Sequence, residues 1–354
     1  MRTTDGWAWA AASLMALAVA AGCDVAPPPP TTGTGASSTG GIGAALTGKI
    51  EIDGSSTVFK LTQAVAQEFN KQNPGVALKV DKSGTGGGFK TFVLGSLDIC
   101  DASRPIQESE MQKCQDNKVE YIELPVCFDA LTVAVNEQNT WCKDMTVAEL
   151  QKLWAPDSKV TKWKDIRPDW PDAEIKLFGA GTDSGTFEYF TEAIVGKKNA
   201  SRSDYTASED DNVIVLGVEG DKNALGYLPY AYYAPREATL NAVAISWEKN
   251  PKGPEAVLPS RQTVEAAKYN PLARPLFFYV NRKAAERPEI KAFVEFYLRN
   301  GVKMAERVKY IPLQQPEYEM GLARFGKLQT GTAFGGHAEF GLTIEEILKR
   351  EPKM

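Results

Sequence analysis

From residue 49 onward the chain switches between two hydrophobic periods. Lys49-Ile-Glu-Ile-Asp53 sets apolar side chains at every second position, the pattern of a strand with one buried face. Val58, Leu61, Val65 and Phe69 follow at intervals of three and four, which predicts an amphipathic helix over residues 58–70. Asn73-Pro-Gly75 ends it, and Val76–Val80 is the next strand. A helix from Phe89 to Leu94 and a short strand over 97–100 complete a first block. Predicted strands at 131–135 and 175–179, with helices at 147–153 and 187–194, make a second. Near the C-terminus Leu276-Phe-Phe-Tyr-Val280 reads as a buried strand. Residues 288–297 follow as a helix with Pro288 early, where a missing N–H costs least. Strand, loop and helix in succession predict an α/β fold of mainly parallel sheets flanked by helices. No long polar linker divides the blocks, so two α/β lobes joined by short crossings fit better than separate beads.

The loops between these elements share a composition. Gly54-Ser-Ser-Thr57, Ser83-Gly-Thr-Gly-Gly-Gly88 and Gly181-Thr-Asp-Ser-Gly-Thr186 each sit between a strand and a helix start. The first turn of a helix has unpaired N–H groups and a partial positive charge. Glycines let the backbone approach closely and hydroxyls add donors. One such loop is an ordinary N-cap, but three in one chain can converge at the C-terminal ends of the strands and cradle an oxyanion. A fourth segment, Asp98-Ile-Cys-Asp-Ala-Ser-Arg-Pro105, puts Arg104 directly after a strand. There its planar fork can face a tetrahedral anion, or it can pair with Asp101 at the surface.

Composition narrows the chemistry. The chain has 354 residues, room for two domains, with 40 Lys+Arg against 45 Asp+Glu and a formal net charge of -5. No basic surplus exists to neutralise a nucleic-acid backbone. The single histidine, His337, argues against a multi-His zinc site, and no cofactor is expected. An anion would have to be held by local geometry, not net charge.

The N-terminus reads as a targeting segment. Arg2 precedes an apolar run over residues 7–21 that ends Ala20-Ala21-Gly22-Cys23, which predicts a secretory signal over 1–22. The run is too short to span a bilayer comfortably. Its end resembles a bacterial lipobox with Cys23 as the lipidated residue, although Ala20 stands where Leu is usual. Residues 23–48, with Pro27–Pro30 followed by a Thr/Gly/Ser run, have almost nothing to bury and predict a tether. Export would put Cys100, Cys114, Cys127 and Cys142 in an oxidising compartment. Two disulfides are then expected, Cys114–Cys142 and Cys100–Cys127, with two buried free thiols as the alternative for the second pair.

Residues 49 to about 335 resemble the phosphate-binding proteins of bacterial phosphate ABC transporters, most closely the branch carrying D-I-x-x-A-S-R-P. Asp53-Gly-Ser-Ser-Thr57, Ser83-Gly-Thr-Gly-Gly-Gly-Phe-Lys90, Asp98–Pro105, Asp183-Ser-Gly-Thr-Phe187 and Ala224-Leu-Gly-Tyr-Leu228 carry the resemblance, in that order. It implies a two-lobed periplasmic binding protein fold of type II, closing on phosphate in the cleft between lobes. Lobe I would comprise residues 49–128 plus 275–354 and lobe II residues 129–274. Carried over, Ser56 and Thr57, then Thr85 and Gly86, then Ser103 and Arg104 supply donors from one side; Ser184, Gly185 and Thr186 supply them from the other. The best-known members have an Asp where Arg104 stands, and an Arg shortly before the last loop, where this chain has Ala180. A carboxylate that accepts the proton of hydrogen phosphate would repel sulfate, and Asp183 and Asp101 are the candidates.

The rival readings are weaker. A serine hydrolase would use Ser184 as nucleophile, but Thr182-Asp-Ser-Gly-Thr186 is no G-x-S-x-G elbow. Lys60 lies four residues after Ser56, which breaks S-x-x-K. Another oxyanion, such as sulfate, molybdate or a phosphonate, remains open as the ligand. The expectation is a monomeric, non-enzymatic receptor at the cell envelope or in the periplasm. It would be lipid-anchored, bind inorganic phosphate and deliver it to the permease subunits of an ABC importer.

Overall fold

The computed structural model describes residues 45–353 apart from 183, 338 and 340. The expected signal, most of the tether, Cys23 and Asp183 therefore lie outside the described residues. The chain opens with β1 (Gly48–Gly54), α1 (Ser56–Gln72), β2 (Val76–Val80), α2 (Thr85–Phe92), β3 (Ile99–Ala102), α3 (Glu108–Asp116) and β4 (Tyr121–Asn136). α1 forms where the spacing placed it. Ser55 caps it, its hydroxyl accepting from the Val58 N–H at 3.4 Å, and Val58, Leu61, Val65 and Phe69 are buried along one face. Burying each such side chain fully contributes roughly 1.5–3 kcal/mol. Past β4 come α4 (Val147–Trp154), α5 (Gly185–Phe190) running on into a π-helical turn at Thr191–Val195, and α6 (Asp211–Glu219).

Ten strands form the main sheet among the described residues. Its order from one edge is β2, β1, β3, Ala273–Asn281, β4, Ala224–Pro229, Lys176–Ala180 and Thr206–Ser208; Leu240–Ala242 and Ile311–Pro312 also pair with β4. Both flanks are parallel, as expected. The centre is not: Ala273–Asn281 runs antiparallel to both β3 and β4, and β4 runs antiparallel to Ala224–Pro229.

β4 is the spine. All sixteen of its residues are buried. Residues 121–130 pair with Ala273–Asn281, whereas 131–135 pair with Ala224–Pro229, so one strand serves both halves of the molecule. The register slips between Leu276 and Phe277, which face Cys127 and Pro125. Pro125 has no N–H to give the ladder, and a bulge is where a mid-sheet proline is tolerated.

The four described cysteines are buried free thiols, which corrects both expected disulfides. Strand Ala273–Asn281 lies between Cys100 on β3 and Cys127 on β4. Two strand spacings amount to about 9–10 Å, and a disulfide needs Cα atoms within about 7 Å. Cys114, in α3, lies just before β4 and Cys142 just beyond its far end. Sixteen residues of strand put roughly 50 Å of chain between them.

Candidate functional site

The loop hydroxyls open onto a cleft of about 670 Å³ lined by Ser56, Thr57, Ser184, Gly185 and Thr186. With Ser55 as the cap, Ser56 and Thr57 occupy the first helical positions of α1. Ser184 caps α5, its oxygen accepting from the Thr186 N–H at 3.1 Å. Capping uses a lone pair and leaves the O–H free to donate, so a cap here can also bind an anion. The two helix starts meet closely. A Cβ on Gly185 would lie 2.9 Å from Thr57 Oγ1 and 3.1 Å from Ser56 Oγ. Only glycine fits that approach without displacing the hydroxyls.

The second loop is held from below. Asp53 accepts from the Ser83 N–H at 2.8 Å and the Ser83 hydroxyl at 2.7 Å. α2 begins at Thr85, four residues earlier than the periodicity predicts, because three glycines hide its first turn. Gly84 caps it with φ +83° and offers no side-chain acceptor. Thr85 is buried and its Oγ1 accepts from the Ser103 N–H at 3.1 Å, while the two hydroxyls lie 3.0 Å apart. A Cβ on Gly86 would meet nothing within 4 Å, so open space lies beside it.

Ser103 and Arg104 line a second chamber, of about 540 Å³, together with Tyr189, Trp247 and Arg274. Arg104 does not pair with Asp101. Its guanidinium donates in a fork to Glu110, at 2.9 and 2.8 Å, and lies 5.3 Å from the centre of the Phe89 ring. Burial pulls the Arg104 pKa down, but the Glu110 bonds and charge outweigh burial and hold it above its ordinary value. Its Nε–H is buried with no partner. Lys198, ion-paired with Glu188, is pushed below its ordinary value by burial and by the positive charges of Arg104 and Arg274. Three cations therefore crowd this side of α5.

Asp101 faces away from both chambers. It is fully buried, accepts from Thr62 Oγ1 at 3.0 Å and has one oxygen without a partner. Burial drives its pKa well up, which the Thr62 bond only partly offsets. Its main chain matters to the first loop, since its carbonyl accepts from the Ser55 N–H at 2.9 Å.

Two charged residues that sequence reasoning missed sit where the chambers meet. Asp129, 3% exposed on β4, lines the first; Arg274, its register partner on Ala273–Asn281, lines the second. They form an ion pair at 3.2 Å, and the Arg274 guanidinium lies 3.9 Å from the Tyr189 ring centre. A lone carboxylate inside the apolar run Val126–Val135 was the available signal, and Arg274-Pro275 repeats the Arg-Pro pair of Arg104-Pro105. Asp211, at the start of α6, also lines the first chamber. Burial, opposed by Lys60 and reinforced by Asp129, pushes its pKa up to about 6. Lys60 itself points at Tyr232 across the same chamber, 5.4 Å from the ring centre.

Residues 28–300 match the family model described as PBP superfamily domain. The chain is similar to Protein SphX from Synechocystis, at 50% identity over 305 residues, 85% of this chain and 89% of that protein. It is also similar to the phosphate-binding protein PstS from Staphylococcus haemolyticus, at 33% identity over 77% of this chain and 84% of that one. Among solved structures, a possible phosphate binding protein from Planctomyces limnophilus superposes with a TM-score of 0.73. The two are 47% identical over 80% of this chain and 99% of that one.

Proposed function

The chain belongs to the PBP superfamily and, within it, to the SphX and PstS proteins, and from that membership we propose that it captures inorganic phosphate outside the cytoplasmic membrane and hands it to the permease of an ABC importer. The observation that carries the reading is the meeting of two helix N-termini at Gly185, Ser56 and Thr57. Unpaired N–H groups and hydroxyls there offer many short donors and no bulky side chain. We assign ligand donors to Ser56, Thr57, Thr85, Gly86, Ser103, Arg104, Ser184, Gly185 and Thr186. The acceptor that rejects sulfate is Asp129, which borders the cleft, or the Asp183 expected from the sequence, which lies outside the described residues; the inward-facing Asp101 is a poor candidate for that role.

The protein performs no reaction in this reading; binding and release are its activity. The two lobes are residues 49–128 with 275–354 and residues 129–274. In support, the partner of β4 changes between Ala130 and Leu131, and Ala273 pairs with Ala130 at the same level. No helix among the described residues is long and apolar enough to cross a membrane. We propose that attachment instead runs through a lipid on Cys23 and the 23–48 tether, and that the receptor is a monomer.

Calorimetric titration with phosphate, arsenate and sulfate tests the function. Phosphate and arsenate should bind with similar affinity and sulfate at least a hundredfold more weakly, the scale a site built on hydrogen-bond complementarity reaches. Equal binding of sulfate would favour a general oxyanion receptor.

A further inference from the structure

A buried chain of hydrogen bonds runs from the back of the Arg104 loop to the C-terminal segment. β3 ends at Ala102, so beyond it the loop has no strand partner. In front, the Ser103 N–H is held by Thr85. Behind, the Ile106 N–H donates to the Tyr279 hydroxyl at 2.8 Å, and that hydroxyl donates to Glu123 Oε2 at 2.7 Å. Thr332 Oγ1 donates to the same Glu123 oxygen at 2.5 Å, and the Ala333 N–H donates to the other at 2.9 Å. Tyr279 and Thr332 have no exposed surface and Glu123 is 1% exposed. Two segments far apart in sequence, at Tyr279 and at Thr332–Ala333, thus close on the Glu123 carboxylate, and Tyr279 links it to the Arg104 loop.

We propose that Tyr279 and Glu123 are positioning residues for phosphate binding. They fix the loop that presents Ser103 and Arg104 and make its geometry depend on the C-terminal segment at Thr332–Phe334. Three features favour positioning over plain core stability. The Ile106 N–H is satisfied by a side chain, so this loop anchor can be lost without breaking the sheet. The carboxylate takes three donors, a number that fixes its direction as well as its charge. Phe334, two residues past Thr332, lines the same chamber as Arg104, and its N–H donates to Thr332 Oγ1 at 3.1 Å. The C-terminal segment therefore touches the site on its wall and through the relay.

The inference rests on the phosphate reading, and a double-mutant cycle separates the two. In the intact chain, Tyr279→Phe should weaken phosphate binding about 10- to 30-fold, and Thr332→Val about threefold. In an Arg104→Lys background, where the fork is already gone, both effects should shrink below twofold, because coupled residues are not additive. Tyr318→Phe removes an equally buried hydroxyl, bonded to the Val126 carbonyl at 2.6 Å, and should lower the melting temperature without moving the Kd. Failure of the wild-type protein to bind phosphate overturns the receptor reading itself. If the wild type binds but Tyr279→Phe and Thr332→Val leave the Kd within twofold, the positioning role is wrong. Equal shifts in both backgrounds overturn it as well. Should Tyr279→Phe not fold, Thr332→Val decides alone.

Discussion

Asp211 is a side chain in the cleft whose charge changes within the working range. Its ordinary value of 3.8 rises to about 6, chiefly through burial. Below that pH the group is neutral; above it the chamber gains a negative charge that opposes an anion. Raised folded-state pKa also means that its contribution to stability is complete below about 4 and is lost as pH climbs through 6. Asp211→Asn should therefore match the wild type at pH 4. At pH 8 it should bind phosphate about three- to tenfold more tightly, the size of a partly screened charge pair. Comparing variant and wild type at each pH cancels the ligand's own ionisation; a variant that binds more weakly at pH 8 would show that Asp211 helps hold the ligand. Residue types were legible in the sequence where they clustered, as in the Ser/Thr/Gly loops. Asp129 and Arg274 were not, because a lone charge in an apolar strand shows its partner only when the strands are paired. The cysteines misled for a related reason. The four beyond Cys23 make an even count that fits disulfides, but β4 and the strand beside it hold the thiols apart.

At the level of elements, the helices behind the Ser/Thr/Gly loops were the most readable feature, although they start two to four residues earlier than the apolar spacing predicts, and the long central strand was the least. Ser55 and Ser184 cap where polar residues precede an apolar run, and α1 follows its predicted face closely. Only 131–135 of β4 was expected, since Pro125 and Asp129 interrupt the apolar pattern upstream. α3 was missed because it buries only Met111 and Cys114 among nine residues. That unremarked helix supplies Glu110, which holds the Arg104 fork, so the missing element carried part of the site. The start of α5 makes the most direct prediction at this scale. Gly185→Ala would bring a methyl group to 2.9 Å from Thr57 Oγ1, closer than a carbon and an oxygen sit comfortably. Its backbone needs no unusual dihedral, so folding should be nearly unaffected while phosphate affinity falls at least tenfold. Titration calorimetry beside a thermal melt reads both. Unchanged affinity would mean that the two helix starts do not enclose the ligand together.

The whole molecule carries a net charge of -5, and it is proposed to bind an anion. Two electrostatic descriptions of that situation differ in a way that salt resolves. If the field of the entire surface set the affinity, the acidic body would repel phosphate at low ionic strength. Added salt would screen that repulsion and strengthen binding. If affinity comes from short contacts inside a closed cleft, the donors lie within a few ångströms of the anion and little salt can intervene. The fold argues for the second description. The central strands bring Asp129 and Arg274 together as a buried pair that is neutral overall. Glu110 neutralises Arg104 while leaving its Nε–H spare. Where the two helix starts meet at Gly185, Ser56 and Thr57, the donors are dipoles and hydroxyls, which no charge count registers. Phosphate affinity should then change by less than about twofold between 50 and 500 mM sodium chloride, a range over which the Debye length falls from roughly 14 to roughly 4 Å. The association rate should still rise with salt, because the approach path crosses the acidic surface before the cleft is reached. Stopped-flow measurement of the rate beside calorimetry of the affinity separates the two effects. An affinity that climbs tenfold with salt would place the ligand in the field of the surface instead of inside the cleft.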